Sequence, residues 1–496
     1  MKALELKDRR ELFVDDYLID DMGKADLRLH SPQRQEIALV LDTNSAIYER
    51  VLYDDVTKRF LLYYHTGNMA PTAKNPVRNS NFRMMVTTSE DGIHWGEPQV
   101  VMDQTDVAAE PDIYIQGSPA HMTPFLDTNP ACPPEERFKA VVVARETLRL
   151  MVSPDGLKYT LRKDIPAFNI ESRRDSQNMA FFDHNLGYYR IYHRVRHFGE
   201  RAIRVHITPD FVDFRNSTDL VYNDTDSMAF YTNQIEPYFR APHLLMGFPM
   251  RYEDRGQVWD RRMSYLPARE TRLARIAADK YTRLGTVSTD TVFMCSRDGW
   301  HFTRYPEAFL RPGASRATWM YGDNFLAAGM IPTKSTQGDT SPDELSFFAV
   351  ERDEKNEGTE YLRRCTLRMD GFVSLHFPGR GARVLTKPFT FTGGALELNV
   401  ATSAWGQLDI EITDQDGIPI PGFREENFYT IKADDIALRP EWEKTLSDLR
   451  SLEGKVIRLR LSGRDADLYS MKFVPWEKEP EIPEIPTKYE LEMIMW

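Results

Sequence analysis

Apolar residues in this chain fall in short runs, rich in Val, Phe, Tyr, Met and Leu and broken by Pro, Gly, Asn and Asp. Examples are 60–65 (FLLYYH), 137–143 (RFKAVVV), 187–193 (GYYRIYH), 243–248 (HLLMGF) and 345–350 (LSFFAV). Runs of that length bounded by turn residues predict strands rather than helices. A helical spacing of apolar positions is confined to two short stretches, 266–280 and 441–452. The pattern predicts an all-β protein.

A turn sequence then recurs between the runs. Ser89-Glu90-Asp91-Gly92-Ile93-His94-Trp95 returns as Ser153-Pro154-Asp155-Gly156-Leu157-Lys158-Tyr159 and as Ser296-Arg297-Asp298-Gly299-Trp300-His301-Phe302. Thr208-Pro209-Asp210 with Phe214, and Arg368-Met369-Asp370-Gly371, fit the same offsets. Asp-Gly closes a tight hairpin because Gly supplies the positive φ and Asp bonds its own backbone. Five copies at this spacing predict the blades of a five-bladed β-propeller, each a four-stranded sheet with the turn between its third and fourth strands. The inner strands are then expected near 45–53, 118–126, 176–183, 231–239 and 319–328, with 255–287 an insertion in blade four.

After about 383 the turn sequence stops. Residues 384–475 show alternating strands joined by Gly turns, the pattern of a small C-terminal β-sandwich. The expected domains are therefore a propeller over 1–383, with the segment 1–33 packed on it, a sandwich over 384–475, and an arm over 476–496. The arm is rich in Pro and Glu but ends in Leu491, Ile494 and Trp496. It is read as docking on its own subunit or across a homo-oligomer.

Composition narrows the function. With 496 residues, 41% apolar and 28% charged, the chain is a globular protein of more than one domain. A formal charge of −12 speaks against a nucleic-acid partner. No run of eighteen apolar residues predicts a membrane span. The charged start lacks a signal-peptide core, which reads as cytoplasmic unless a leader precedes this sequence. Cys132, Cys295 and Cys365 are scattered and read as small buried residues. There is no Gly-rich phosphate loop, nucleophile elbow, zinc motif or EF-hand loop, so no cofactor is expected to be required. A structural calcium on the propeller axis leaves no sequence signature.

The short turn and the five-blade count are similar to glycoside hydrolase families thirty-two, forty-three and sixty-eight. Five stretches resemble more closely a group of uncharacterised bacterial glycosyl-hydrolase-like proteins. They are Glu11–Leu18 (ELFVDDYL), Asp175–Asn178 (DSQN), Tyr231–Gln234 (YTNQ), Ala241–His243 with Gly247–Pro249, and Leu367–Ser374 (LRMDGFVS). The Asn-Asp-Pro-Asn run of family thirty-two is missing from the sequence, so the resemblance does not extend to fructan cleavage.

The resemblance implies a carbohydrate substrate in the propeller funnel and paired-carboxylate chemistry, in which one acid is protonated and the other ionised. The search is for acids near the starts of the inner strands. Blade three offers Arg174, Asp175, Gln177 and Asn178, or else a capped turn. Blade four offers Asn233, Gln234 and Glu236, where Glu236 is either a funnel acid or the ion-pair partner of Arg240. Blade five offers Asp323 beside Trp319 and Tyr321, which suit sugar stacking or simply seal the blade. Blade one offers Asp42 and Glu49, and blade two His121. Arg174, Arg240, His243 and Arg251 are read as binding a substrate carboxylate, as holding the catalytic acids ionised, or as forming interblade salt bridges. The favoured assignment makes Glu236 the proton donor and Asp175 the ionised partner. The leading reading is a glycoside hydrolase. The alternatives are a non-catalytic glycan-binding propeller and a glycan phosphorylase-like enzyme.

Overall fold

In the computed structural model the described residues are 2–41, 48–66, 83–102, 121–144, 147–168, 176–197, 199–255, 265–278, 283–338, 340–352 and 359–478. Strands dominate them. The chain divides into two compact units, residues 27–374 and residues 1–26 with 375–496.

Unit 27–374 is a five-bladed β-propeller. Blade one is Arg50–Asp54, Arg59–Thr66, Arg83–Ser89 and Gln99–Met102. Blade two is Met122–Leu126, Phe138–Ala144, Thr147–Ser153 and Thr160–Leu161. Blade three is Met179–Asp183, Tyr188–His197, Glu200–Thr208 and Arg215–Asp219. Blade four is Glu236–Tyr238, Ala241–Gly247 with Met250–Asp254, Val287–Ser296 and His301–Leu310. Blade five contributes Ile331–Thr333, Glu344–Arg352 and Glu360–Arg368, and its fourth strand comes from the other end of the chain. Gln33–Leu41 pairs antiparallel with Glu360–Arg368, Leu41 opposite Glu360 and Leu39 opposite Leu362. That pairing of the first and last strands of the propeller unit closes the ring.

The strands read as continuous apolar runs because each blade is covered on both faces. Leu61, Tyr63 and Val86 of blade one pack on Phe138, Ala140 and Val142 of blade two, and Val141, Leu148 and Leu150 pack on Ala180, Tyr189 and Ile191 of blade three. The turn motif behaves as expected in blades one to four. Ser89 Oγ accepts from Gly92 N at 2.9 Å, and Asp91 Oδ1 accepts from the amides of Ile93 and His94 at 2.8 Å. The same bonds recur at Ser153 and Ser296. The glycine also lets the next blade approach: a Cβ on Gly156 would lie 2.6 Å from Tyr63 Oη. The fifth turn, at Asp370, leads instead into Val373–Phe377, since the N-terminal strand already holds the outer position of blade five.

Blade four carries the expected insertion, with helix Arg269–Ala278. Arg272 is fully buried and donates to the carbonyls of Pro267 (2.8 Å), Gly285 (2.8 Å), Val287 (3.1 Å) and Trp319, which fastens the insertion to the start of blade five.

The second unit differs from its expected outline. Residues 1–26, expected on the propeller, belong here: Leu4–Lys7 runs parallel to Phe389–Phe391, and Ile19–Asp21 pairs with Ala382–Thr386. The boundary lies near 374/375 rather than 383/384. The unit's two long strands, Ala395–Asp414 and Ile457–Val474, are paired along their length with an irregularity between Thr402 and Gln407. Residues 441–452 form no α-helix. Trp442 is buried against Phe423 and Phe428, Leu446 takes φ +50°, and only Arg450–Leu452 makes a 3-10 turn. Tertiary burial of one tryptophan overrides the helical spacing there. Of the arm, Trp476 stacks on Arg450 at 4.1 Å, while Leu491, Ile494 and Trp496 lie outside the described residues.

Candidate functional site

The starts of the five inner strands meet in a buried polar hub. Arg50, the first residue of its strand, donates through Nε to Pro124 O of blade two at 3.2 Å and pairs through Nη1 with Glu236 Oε2 of blade four at 2.6 Å. The Glu49 carbonyl accepts from Ala328 N (2.8 Å) and from Gln177 Nε2 (3.2 Å), which ties blade one to blades five and three. Asn233 Nδ2 donates to Gln177 O at 3.3 Å, and Gln234 Nε2 to Leu326 O at 3.0 Å. Gln177, Asn233 and Gln234, expected to bind substrate, are thus spent largely on neighbouring blades. Asn178 is buried with them and donates to Ser176 O at 2.9 Å.

Three inner strands are approached through non-glycine residues at positive φ: Tyr48 (+76°), Gln234 (+40°) and Asn324 (+59°). A bulky tyrosine in this region is strained, and such strain persists only where surroundings over-determine it. Tyr48 is wedged edge-on against His121 (4.8 Å between ring centroids) and Phe325 (6.3 Å), and lies parallel to Tyr231 at 6.4 Å. Tyr231, Tyr252 and Tyr321 form a mutually packed group 5.7–5.9 Å apart. The Arg194 guanidinium lies over Tyr231 at 4.8 Å and Arg201 over Tyr252 at 4.0 Å.

The acids have contrasting environments. Glu49 is fully buried, and among the described residues neither carboxyl oxygen has a hydrogen-bond partner. Burial, assisted by the negative charge of Glu360, pushes its carboxyl up to about 8. Asp323 is buried too and accepts from Met320 N (2.5 Å) and Arg352 Nε (2.8 Å). Burial raises it to about 7 although Arg352 pulls the other way. Arg352 also pairs with buried Glu360 at 2.9 Å. Glu236 is the half-open member: its side chain keeps 14% of its exposure and pairs with Arg50. The residue expected to be the proton donor is thus engaged in an ion pair. The ion-pair partner is also Arg50 and not Arg240.

The remaining expected residues divide. His121 and Tyr321 belong to the central group. Arg240 instead sits at the far end of the blade-four inner strand, 3.4 Å from Asp370, and Arg251 pairs with Asp290 at 2.7 Å within blade four. Trp319 donates its indole N–H to Gly313 O at 2.9 Å, and His243 is part of the second strand of blade four. Asp42, Arg174 and Asp175 lie outside the described residues. Sequence reasoning missed Arg50, Arg352, Glu360 and the tyrosine group. Arg50 had one local signal, a charged residue directly after a candidate acid and ahead of an apolar strand. Among the described residues no group of three or more His, Cys, Asp and Glu side chains is placed to hold a metal ion.

No family model and no curated sequence matches the chain. Solved structures similar to it include an N-acetylgalactosamine deacetylase from F. plautii in complex with blood group B trisaccharide (10% identity, 68% of this chain and 94% of that one, TM-score 0.41). Another is an endo-arabinase from Bacteroides thetaiotaomicron (9%, 68% and 98%, TM-score 0.38). A third is a fructofuranosidase from Schwanniomyces occidentalis complexed with fructosylnystose (10%, 95% and 99%, TM-score 0.35). At these scores the likeness carries no argument about chemistry, which has to come from the residues.

Proposed function

We propose that this protein is a glycoside hydrolase whose reaction centre lies at the starts of the propeller inner strands, with Glu49 as proton donor and Glu236 as the ionised carboxylate. The observation that carries the reading is the contrast between these two acids. Glycoside cleavage requires one carboxyl that keeps its proton at neutral pH and a second that does not. Glu49 is buried, with no hydrogen-bond partner to its carboxyl oxygens among the described residues, and burial pushes it up to about 8, whereas Glu236 is ion-paired with Arg50 at 2.6 Å. Buried polar atoms left without partners are rare in folded proteins and concentrate where chemistry is done. Tyr321, the half-buried member of the tyrosine group, combines an apolar ring with a polar tip, suited to a sugar's mixed surface, while Tyr231 and Tyr252 are buried behind it.

The second reading is a glycan-binding propeller without catalysis, and the amides of blades three and four (Gln177, Asn178, Asn233, Gln234) do not favour it, since each already donates to a backbone carbonyl. The test incubates the purified protein with arabino-, galacto- and fructo-oligosaccharides, with and without inorganic phosphate, and follows new reducing ends and sugar phosphates. Hydrolysis independent of phosphate supports the proposal. Products formed only with phosphate replace it with a phosphorylase, and binding without products replaces it with the glycan-binding reading.

A further inference from the structure

The second unit carries a feature that the propeller chemistry does not use. Along Ala395–Asp414, Gln407, Asp409 and Glu411 alternate with the buried apolar residues Leu408, Ile410 and Ile412. Directly opposite them on Ile457–Val474 stand Arg464, Ser462 and Arg460, and Arg383 lies opposite Ser462 on the next strand. One face of these three strands is therefore polar while the other builds the core. Above it is an open cleft of about 550 Å³, lined by Arg383, Gln407, Asp409, Glu425, Ser462 and Arg464. A second cleft of similar volume adjoins it through the shared Arg383, Asp409 and Glu425. Volumes of this size are those of small-molecule sites, roughly 300–1,000 Å³.

Midway along the same strand, two residues before the cleft-lining Gln407, stands Trp405, 57% exposed. It is fixed rather than loose: the Arg464 guanidinium covers its ring at 4.5 Å, and the chain bends there at Gly406, where a Cβ would overlap the Asp465 carbonyl. An indole held out into solvent beside a polar cleft is an unusual use of the largest apolar side chain. The cleft does not favour an ion of either sign, because Arg383 and Arg464 alternate with Asp409 and Glu425. Asp409 already accepts from Thr430 Oγ1 (2.6 Å) and Gln407 Nε2 (3.0 Å), and Glu425 from Ser462 Oγ (3.3 Å). Planar donors and acceptors in alternation, next to one aromatic face, match a ligand that is neutral, rich in hydroxyl groups, and apolar on one ring face.

We infer that this cleft is a binding site for a neutral oligosaccharide, with one sugar ring on Trp405 and its hydroxyl groups bonded to Arg383, Gln407, Asp409 and Glu425. The site lies wholly within the second unit, and its occupation requires no turnover by the propeller.

The test screens the full chain against an array of neutral and uronate-containing oligosaccharides. The best neutral hit is then taken to hydrogen-exchange measurements with the parent, Trp405→Ala and Arg383→Ala. Both side chains are exposed, so folding is expected to survive, and melting temperature checks it. The expected result is protection of 403–411 and 458–464 in the parent, lost in both variants, with affinity at these segments reduced at least about tenfold, or 1.4 kcal/mol. Protection confined to propeller segments, unchanged protection in both variants, or an array that binds no neutral glycan would overturn the inference.

Discussion

Gly299 offers a sharp test of how the blades are held together. It sits in the blade-four turn at φ +82°, and its carbonyl accepts from Tyr192 Oη of blade three at 2.9 Å. A Cβ there would overlap the Arg190 guanidinium and lie 2.8 Å from Tyr192 Oη. Arg190 has no room to retreat. It is buried, pairs with Asp183 at 2.6 Å, donates to Asp298 O at 2.7 Å and lies over the Trp300 ring at 4.3 Å. Gly187 is the natural control: it has φ +72° in a blade-three hairpin, but a Cβ would meet nothing within 4 Å. Both Gly187→Ala and Gly299→Ala place alanine in the left-handed region, which costs about 1–2 kcal/mol. Only Gly299→Ala must also displace Arg190, and breaking a buried ion pair costs about 3–5 kcal/mol. The difference between the variants should therefore be about 3–5 kcal/mol, read by urea unfolding with tryptophan fluorescence, or as unfolding rates if refolding is incomplete. Equal stability of the two variants would refute the view that these turns lock neighbouring blades.

Two further predictions concern the buried acids. Glu49 keeps its proton in the folded state up to about pH 8, whereas the unfolded chain releases it near 4.5, so its presence lowers stability as pH rises through that window. Glu49→Gln carries no such proton, and its stability relative to the parent should improve by up to about 1.4 kcal/mol per pH unit between pH 5 and 8; a flat difference across that range would contradict the assignment. Arg352→Met removes the cation that bridges Asp323 and Glu360, and should destabilise the propeller by about 3–5 kcal/mol at pH 7, less at pH 5 where Asp323, pushed up to about 7, takes up its proton. A variant as stable as the parent in urea at pH 7 would show that the triad contributes nothing.

What the sequence disclosed and what it hid divide along the range of the interactions. The Ser-x-Asp-Gly turns were legible because Ser89, Asp91 and Gly92 satisfy one another within four residues. The closing strand Gln33–Leu41 was not, because its half-exposed pattern fits any sheet edge and its partner, Glu360–Arg368, lies more than three hundred residues on. The helical spacing of 441–452 misled because it reflects the burial of Trp442 among Phe423 and Phe428, not a helix face. At the candidate site, Glu49 and Glu236 were visible as acids at strand starts. The proton held by Glu49 was not, since it is set by burial in the assembled propeller and by Glu360 of blade five, and neither was the pairing of Glu236 with Arg50 of blade one. Gln177, Asn233 and Gln234 looked like ligand-binding residues for the same reason: a cluster of amides before an apolar strand does not reveal whether a sugar or a neighbouring carbonyl receives its bonds.

The central claim is that Glu49 and Glu236 act as a donor and carboxylate pair. It is tested most directly by measuring turnover of the first oligosaccharide found to be cleaved, using the parent, Glu49→Gln and Glu236→Gln under identical conditions. Positioned acid–base groups contribute about 10²–10⁴ in rate, so each amide variant should lose at least about a hundredfold in kcat while folding normally. Near-parental kcat in both folded variants would contradict the account and return the two acids to the structural hub.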